Sequence, residues 1–238
     1  MMIRPYRVRD VRDYFVGAKS FDYAMTTDKT GVKCIEMIGA SFEADEPAIF
    51  GKPNTEYIEK EIDWYESQSL NINDIYGSDY CKAPPEAWQY AASPKGIINS
   101  NYGYLIYSEK NGYQYDNVLA ELKANPNSRR ATMIYNRPEI WSEYNTDGMS
   151  DYICTNSVAY YIRNDKLNCC VQMRSNDVVY GYKNDWAWQQ YVLQDLAFDL
   201  NLEPGKMIWQ VQNLHVYEKH FDLIKPKEYF LVADKALR

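Results

Sequence analysis

The sequence predicts an α+β fold, and three observations carry that reading. Helical periodicity is confined to a few segments, the second half is dominated by strand-like runs, and one long amphipathic helix interrupts those runs. Val32–Phe42 (VKCIEMIGASF) reads as an early strand, ended by the polar turn Glu43–Pro47. Asn54 is placed to cap a helix running to about Ser69, with Tyr57, Ile58, Ile62 and Tyr65 at helical spacing. A second helix fits Tyr113–Ala124, closed by Asn125-Pro126. Ala131–Tyr135, Tyr152–Arg163, Leu167–Arg174 and Met207–Tyr217 are rich in strand formers, and Arg163-Asn164-Asp165-Lys166 joins two of them as a hairpin. Between Asp185 and Leu200, Trp188, Val192, Leu196 and Leu200 recur every fourth residue, the stripe of an amphipathic helix. No repeat, low-complexity block or Gly/Ser/Pro-rich linker divides the chain, so residues 1–238 read as one domain.

The chain has 238 residues, long enough to bury a sizeable core without staples. Its 26 Lys+Arg against 33 Asp+Glu leave a net charge of −7, which argues against a nonspecific nucleic-acid coat or a basic membrane-surface protein. An anionic ligand must then be met by a local arginine cluster. Tyrosine is abundant (23 residues), and its ring with one apolar and one polar end suits clefts and interfaces. No run of about 18 apolar residues is present to span a membrane. Met1–Asp13 carries Arg4, Arg7, Arg9 and Arg12 with no apolar stretch, unlike a secretory signal. Cys34, Cys81, Cys154, Cys169 and Cys170 lack regular spacing and read as reduced thiols, so a cytoplasmic location is expected. With two histidines, His215 and His220, and no Cys-x-x-Cys, a structural zinc site is not expected.

Cys154 lies in the strand-like run DYICTNSVAYYIR, and two readings compete for it. A free cysteine is commonly a small buried hydrophobe. A nucleophile would need a neighbouring cation to lower its pKa, because the thiolate is the reactive form. Arg174, ending the hairpin's second strand, is the candidate cation, while Cys169 and Cys170 face opposite sides of that strand and read as structural. Arg129 and Arg130 either solvate a surface turn or, set beside Arg174 and Ser175, form a phosphate clamp, since guanidinium forks match phosphate oxygens. Glu61 shares a helix face with Tyr57, Ile58 and Tyr65. It either reaches water at the edge of that face or is buried with a raised pKa suited to proton transfer. Asp185 opens the long helix, where it would favour the helix dipole. His215 and Tyr217 alternate on one strand face.

Together, NPNSRRATMIYN, MRSNDVVYGYKNDW and LHVYEKH, in that order, resemble the thymidylate synthase superfamily and, within it, the T-even-type bacteriophage deoxycytidylate (dCMP) hydroxymethylases. DKTGVKCIEMIGASFEADEPAIFG, KGIINSNYGY and DGMSDYICTNSVAY extend the resemblance across residues 28–221. It implies a three-layer fold with a large mixed or antiparallel sheet, a long central helix, and dimerisation through the sheets. It implies that Cys154 adds to C6 of the pyrimidine, and that Arg174 touches both the nucleotide phosphate and the thiol. Ser175 is then a phosphate ligand, and Arg129 and Arg130 reach the phosphate from the other subunit of an obligate homodimer. His215 and Tyr217 would hold the deoxyribose 3′-hydroxyl, Glu61 would order water and relay protons, and Tyr102 would belong to the proton network at C5. Asp177 and Trp88 would lie on the side of the folate, 5,10-methylenetetrahydrofolate, with no metal involved.

Two departures from the wider family set the expected chemistry. Thymidylate synthases carry an asparagine at the position of Asp185, complementing uracil's O4 acceptor and N3–H donor. Cytosine offers an N4 amino donor and an N3 acceptor instead, so a carboxyl that accepts from N4 and shares a proton with N3 fits it. The wrong base would leave a buried group unpaired. Ala91 stands where the family has a second tryptophan, Ile153-Cys154-Thr155 replaces its Pro-Cys-His, and the chain ends at Arg238 without its usual closing segment. A wetter pocket would let water, not hydride, reach the exocyclic methylene. The expected activity is therefore hydroxymethylation of dCMP. The rivals are a reductive methylase of dCMP or dUMP on the same fold, and a non-catalytic nucleotide-binding homologue. No direct nucleic-acid binding and no membrane association are expected.

Overall fold

The computed structural model describes residues 6–21, 25–77 and 82–224; Cys81 and the chain's end, residues 225–238, lie outside them. In chain order the elements are α1 (Val8–Phe21), β1 (Met25–Thr27), β2 (Lys33–Glu43), α2 (Thr55–Glu66), α3 (Glu86–Ala91), α4 (Tyr102–Tyr107) and α5 (Gln114–Ala124). They continue with β3 (Thr132–Ile134), α6 (Ile140–Glu143), β4 (Thr155–Arg163), β5 (Lys166–Asp177), α7 (Gly181–Asp199) and β6 (Glu203–Tyr217). The strands form one sheet in the order β1-β2-β6-β5-β4-β3, antiparallel except for the parallel pair β5–β6. A parallel pair needs a crossover, and α7 supplies it. The sheet is thus mixed.

Local chemistry sets most boundaries. Asn54 caps α2 by accepting from the Tyr57 N–H at 3.3 Å. The helix stops at Glu66 rather than near Ser69, because Gln68 takes a left-handed conformation (φ +57°). The hairpin between β4 and β5 turns through Asn164 and Asp165, both at positive φ (+53° and +56°), the mirror-image turn that suits twisted strands. α7 begins four residues before Asp185, correcting the expectation that Asp185 opens it. Asp177 accepts from the Val179 and Tyr180 N–H groups (2.8 and 3.3 Å) and turns the chain into the helix early. Asp185 therefore sits a full turn inside, where the helix dipole has faded. Helix α1 escapes a reading based on charge, yet Val8, Val11, Phe15 and Ala18 form a fully buried stripe on the β2 side.

α7 packs on β5 and β6 through Trp188, Val192, Leu193, Leu196 and Ala197, all without solvent contact. The opposite face of the sheet is open and polar. There Ser157 donates to Gln172 and Gln172 to Gln210, each at 3.2 Å, beside the exposed side chain of Ile38.

Across the middle of the sheet the in–out alternation slips by one residue. On β5 buried Met173 is followed by buried Asn176, and on β6 buried Val211 by buried Leu214. On β2 the slip falls at Gly39, whose φ of +72° only glycine adopts freely. These three strands keep register through it, whereas β4 absorbs it as a bulge at Asn156, between the pairs Thr155–Met173 and Ser157–Gln172.

The other wall of the molecule is built by α2 and α4. Fully buried Asn101 donates to the carbonyls of Trp64 (3.1 Å) and Ser69 (2.8 Å) and caps α4 by accepting from the Tyr104 N–H (2.8 Å). Gly103 lets the helices meet, since a Cβ there would overlap the Tyr65 carbonyl. Replacing Gly103 with Ala should destabilise the fold by about 3 kcal/mol, seen as a lower urea midpoint at unchanged slope. An unaltered midpoint would show that α2 and α4 do not approach so closely.

Candidate active site

The catalytic-type residues gather where β4, β5 and β6 run past the slip toward α2, α4 and the first turns of α7. Cys154 immediately precedes β4, and the Arg174 N–H donates to its carbonyl (2.9 Å), extending the β4–β5 ladder. Arg174 then folds back on the same segment. Its Nε donates to Ile153 O (3.0 Å), its Nη2 to Tyr152 O (2.7 Å) and to the Cys154 Sγ (3.6 Å), and the guanidinium lies 4.8 Å over the Tyr152 ring. The thiol and its candidate cation are thus together, as the sequence suggested.

The net effect on the thiol differs from that expectation. Burial pushes Cys154 up to about 11; Arg174 pulls it down, while Asp185 and Asp151 push it further up. One guanidinium does not outweigh desolvation and two carboxylates.

Glu61 is buried, not at a wetted edge. Trp88 Nε1 donates to its Oε1 (2.9 Å) and to the Tyr57 hydroxyl (3.0 Å), and that hydroxyl donates to the same Glu61 oxygen. Burial raises the Glu61 pKa and the two donors oppose it. Asp185 lies within electrostatic reach of Glu61 and is raised to about 7, first by burial and then by the Glu61 charge. Hydrogen bonds from Asn176 and Tyr102 pull it back. Tyr102, on the first turn of α4, accepts from Thr155 Oγ1 (3.0 Å) and stacks on Tyr65 with ring centres 5.4 Å apart.

Ser175 adjoins Arg174 on β5, and Asp177 pairs in register with His215 on β6. His215 and Tyr217 lie with ring centres 5.0 Å apart and alternate with buried Leu214 and Val216, so they project to the sheet's open face. Arg129 and Arg130 do not join this group. Both are exposed, and Arg130 pairs with Glu121 at 3.0 Å. The following residue, Ala131, accepts from Tyr160 N, six residues up β4 from Cys154; at about 3.3 Å per residue that is roughly 20 Å from the thiol. A clamp beside Arg174 within one chain is ruled out by the strand order.

Three residues of the site carried no sequence signal. Tyr57 was legible only as part of an apolar helix face, Thr155 as a strand former, and Asn176 as a link in MRSND. Asn176 is 3% exposed; its Nδ2 donates to Asp185 Oδ2 (2.8 Å) and its Oδ1 accepts from Trp209 Nε1 (3.3 Å). Among the described residues no group of three or more His, Cys, Asp or Glu side chains is placed to hold a metal ion.

Comparison with known proteins agrees with this geometry. The chain is 56% identical over 204 residues to the deoxycytidylate 5-hydroxymethyltransferases of Enterobacteria phages T4 and T2, covering 83% of this chain and 81% of each of theirs. It is 32% identical over 166 residues to a thymidylate synthase of Fusobacterium nucleatum, covering 68% of this chain and 57% of that one. Residues 22–228 match the family model described as thymidylate synthase, and the chain belongs to the thymidylate synthase family.

Proposed function

We propose that this chain is a deoxycytidylate 5-hydroxymethyltransferase, moving a one-carbon unit from 5,10-methylenetetrahydrofolate to C5 of dCMP and finishing with water. The observation that carries the reading is the carboxyl of Asp185, held by Asn176 and Tyr102 within the electrostatic reach of Cys154. A carboxyl there matches the cytosine edge, and the names of the relatives from phages T4 and T2 point to the same substrate.

In this reading the Cys154 thiolate, steadied by Arg174, forms a bond to C6 and leaves the electron pair at C5, so one difficult substitution becomes easier steps. The folate is the second substrate, and C5 bonds to its methylene carbon, which is at the oxidation level of formaldehyde. Loss of the C5 proton with departure of tetrahydrofolate leaves the exocyclic methylene. The half-buried Trp88, its N–H turned inward onto Glu61 and Tyr57, and the partly exposed Asp177 suit a flat, nitrogen-rich ring. Glu61, with its raised pKa, orders the water that adds to the exocyclic methylene, and Tyr102, hydrogen-bonded to Thr155, belongs to the network that takes up the C5 proton. Loss of the Cys154–C6 bond releases product.

His215, Tyr217 and Ser175 are assigned to the sugar and phosphate. Because Arg129 and Arg130 stand far from their own Cys154, they serve the reading only across a homodimer formed by the open sheet faces, each pair reaching the phosphate of the other copy. The reading places the enzyme in the cytoplasm, consistent with Cys34, Cys154, Cys169 and Cys170 all being free thiols. Among the described residues no helix is long and apolar enough to cross a membrane.

Incubation with methylenetetrahydrofolate and equal dCMP and dUMP should yield hydroxymethyl-dCMP by mass, with no rise in dihydrofolate absorbance. Methyl-dCMP with dihydrofolate would overturn the hydration step, and a uracil product the role of Asp185. Cys154→Ser should lose at least about 10³-fold in kcat, and appreciable turnover by it would sink the covalent route. Asp185→Asn should lower kcat/KM for dCMP by about two powers of ten or more and shift the base preference toward dUMP.

The pH dependence has a definite sign. A protonated Asp185 accepts from N4–H and donates to N3, whereas the ionised form sets a lone pair against N3. With Asp185 raised to about 7, kcat/KM for dCMP should fall as pH climbs through that value. The profile of Asp185→Asn should lack that limb.

A further inference from the structure

Asp185 does not choose its own orientation. Asn176 lies against it at the point where β5 slips, 3% exposed, and the neighbouring Trp209 has no solvent contact, so water does not substitute for either partner. The Trp209 indole N–H can only donate, which obliges Asn176 to turn its Oδ1 toward it at 3.3 Å. The amide Nδ2 then points at Asp185 Oδ2 at 2.8 Å, and it too can only donate. The direction of the whole chain, Trp209 to Asn176 to Asp185, follows from one group that lacks an acceptor.

We propose that Asn176, held by Trp209, is a positioning residue that fixes which oxygen of Asp185 accepts and which carries the proton toward the base. This rests on reading Asp185 as the residue that pairs with cytosine. A protonated carboxyl has one carbonyl oxygen and one hydroxyl, and the better acceptor settles opposite the Asn176 donor. The hydroxyl is left on Oδ1, and the order of donor and acceptor along the base edge becomes single-valued. An amide introduced at position 185 complements uracil only by turning its nitrogen to the side of Asn176, against the same constraint.

Groups from every side act on this carboxyl: Glu61 from α2, Tyr102 from α4, Asp177 from β5 and Cys154 ahead of β4. Asn176 differs from Glu61, Asp177 and Cys154 in being neutral, and from the rotatable Tyr102 hydroxyl in having its donor and acceptor ends fixed. Its loss should therefore change selectivity as well as rate.

The test is kcat/KM for dCMP and for dUMP in wild type, Asn176→Ala, Asp185→Asn and the double variant. Asn176→Ala should lower dCMP turnover at least tenfold and move the alkaline limb of its pH profile upward, since a donor to the carboxylate is gone. The double variant should favour dUMP at least tenfold more than Asp185→Asn alone, because the amide at 185 is then free to turn over. An Asn176→Ala profile with an unmoved limb, together with the same base ratio in single and double variants, overturns the proposal. If neither Asp185→Asn nor the double variant departs from the wild-type ratio, the base-reading role of Asp185 is what fails, and this inference falls with it. Trp209→Phe keeps the ring and removes only the N–H. It should move the same quantities in the same direction, and a urea midpoint for each variant separates this from misfolding.

Discussion

The catalytic end of the molecule depends on the one-residue slip that crosses β2, β6, β5 and β4 together. A strand alternates faces with a period of two, so an unbroken β5 would carry Asn176 to the open face with Gln172. Leu214 and Val216 on β6 would likewise be exposed. Because β2, β5 and β6 slip in step, their ladder is kept, and only β4 takes an extra residue at Asn156. Arg174 and Ser175 fall in the transition, half-buried. From there the guanidinium closes back on the Tyr152 and Ile153 carbonyls and onto the thiol. One backbone irregularity therefore sets Arg174 beside the Cys154 thiol and Asn176 beside the Asp185 carboxyl.

The second constraint is charge. Asp151 and Asp185 raise the Cys154 thiol, Glu61 and Asp177 raise Asp185 in turn, and Arg174 is the cation that opposes the first two at the thiol. A nucleotide phosphate adds further negative charge and would push the thiol and both pocket carboxyls up again. On the proposed reading, the arginine pair of a second copy answers that problem. A single chain leaves Arg129 and Arg130 roughly 20 Å from the thiol by strand geometry, so on that reading the phosphate meets the pair only from a second copy.

Much of the architecture was legible before any coordinates. The α2 cap at Asn54, the Asn164-Asp165 hairpin and the amphipathic stripe of α7 are local signals, each with a local cause. Cys154 with Arg174 was legible because two strands joined by a tight turn must bring their far ends together. What failed to show shares one physical origin, which is long-range packing. Burial that outweighs Arg174 at the thiol is a property of the surrounding walls. The early start of α7 is the local exception, a turn set by Asp177 at the end of the preceding strand. Asn176 is invisible in sequence because its meaning comes from Trp209, 33 positions away and one strand over.

The abundance of tyrosine acquires a physical sense at this site. Burial raises the pKa of Tyr57, Tyr65 and Tyr102, and the nearby carboxylates raise it again. Such hydroxyls stay neutral over the whole working range of pH, so Tyr57 donates to Glu61 and Tyr102 to Asp185 without adding negative charge. Lysines in their place would introduce cations that compete with Arg174 for the phosphate, and further carboxylates would raise the thiol beyond use. Neutral donors hold two acids in fixed positions while leaving each free to gain or lose a proton. A reaction that needs one carboxyl protonated against the base and another free to order water calls for that arrangement.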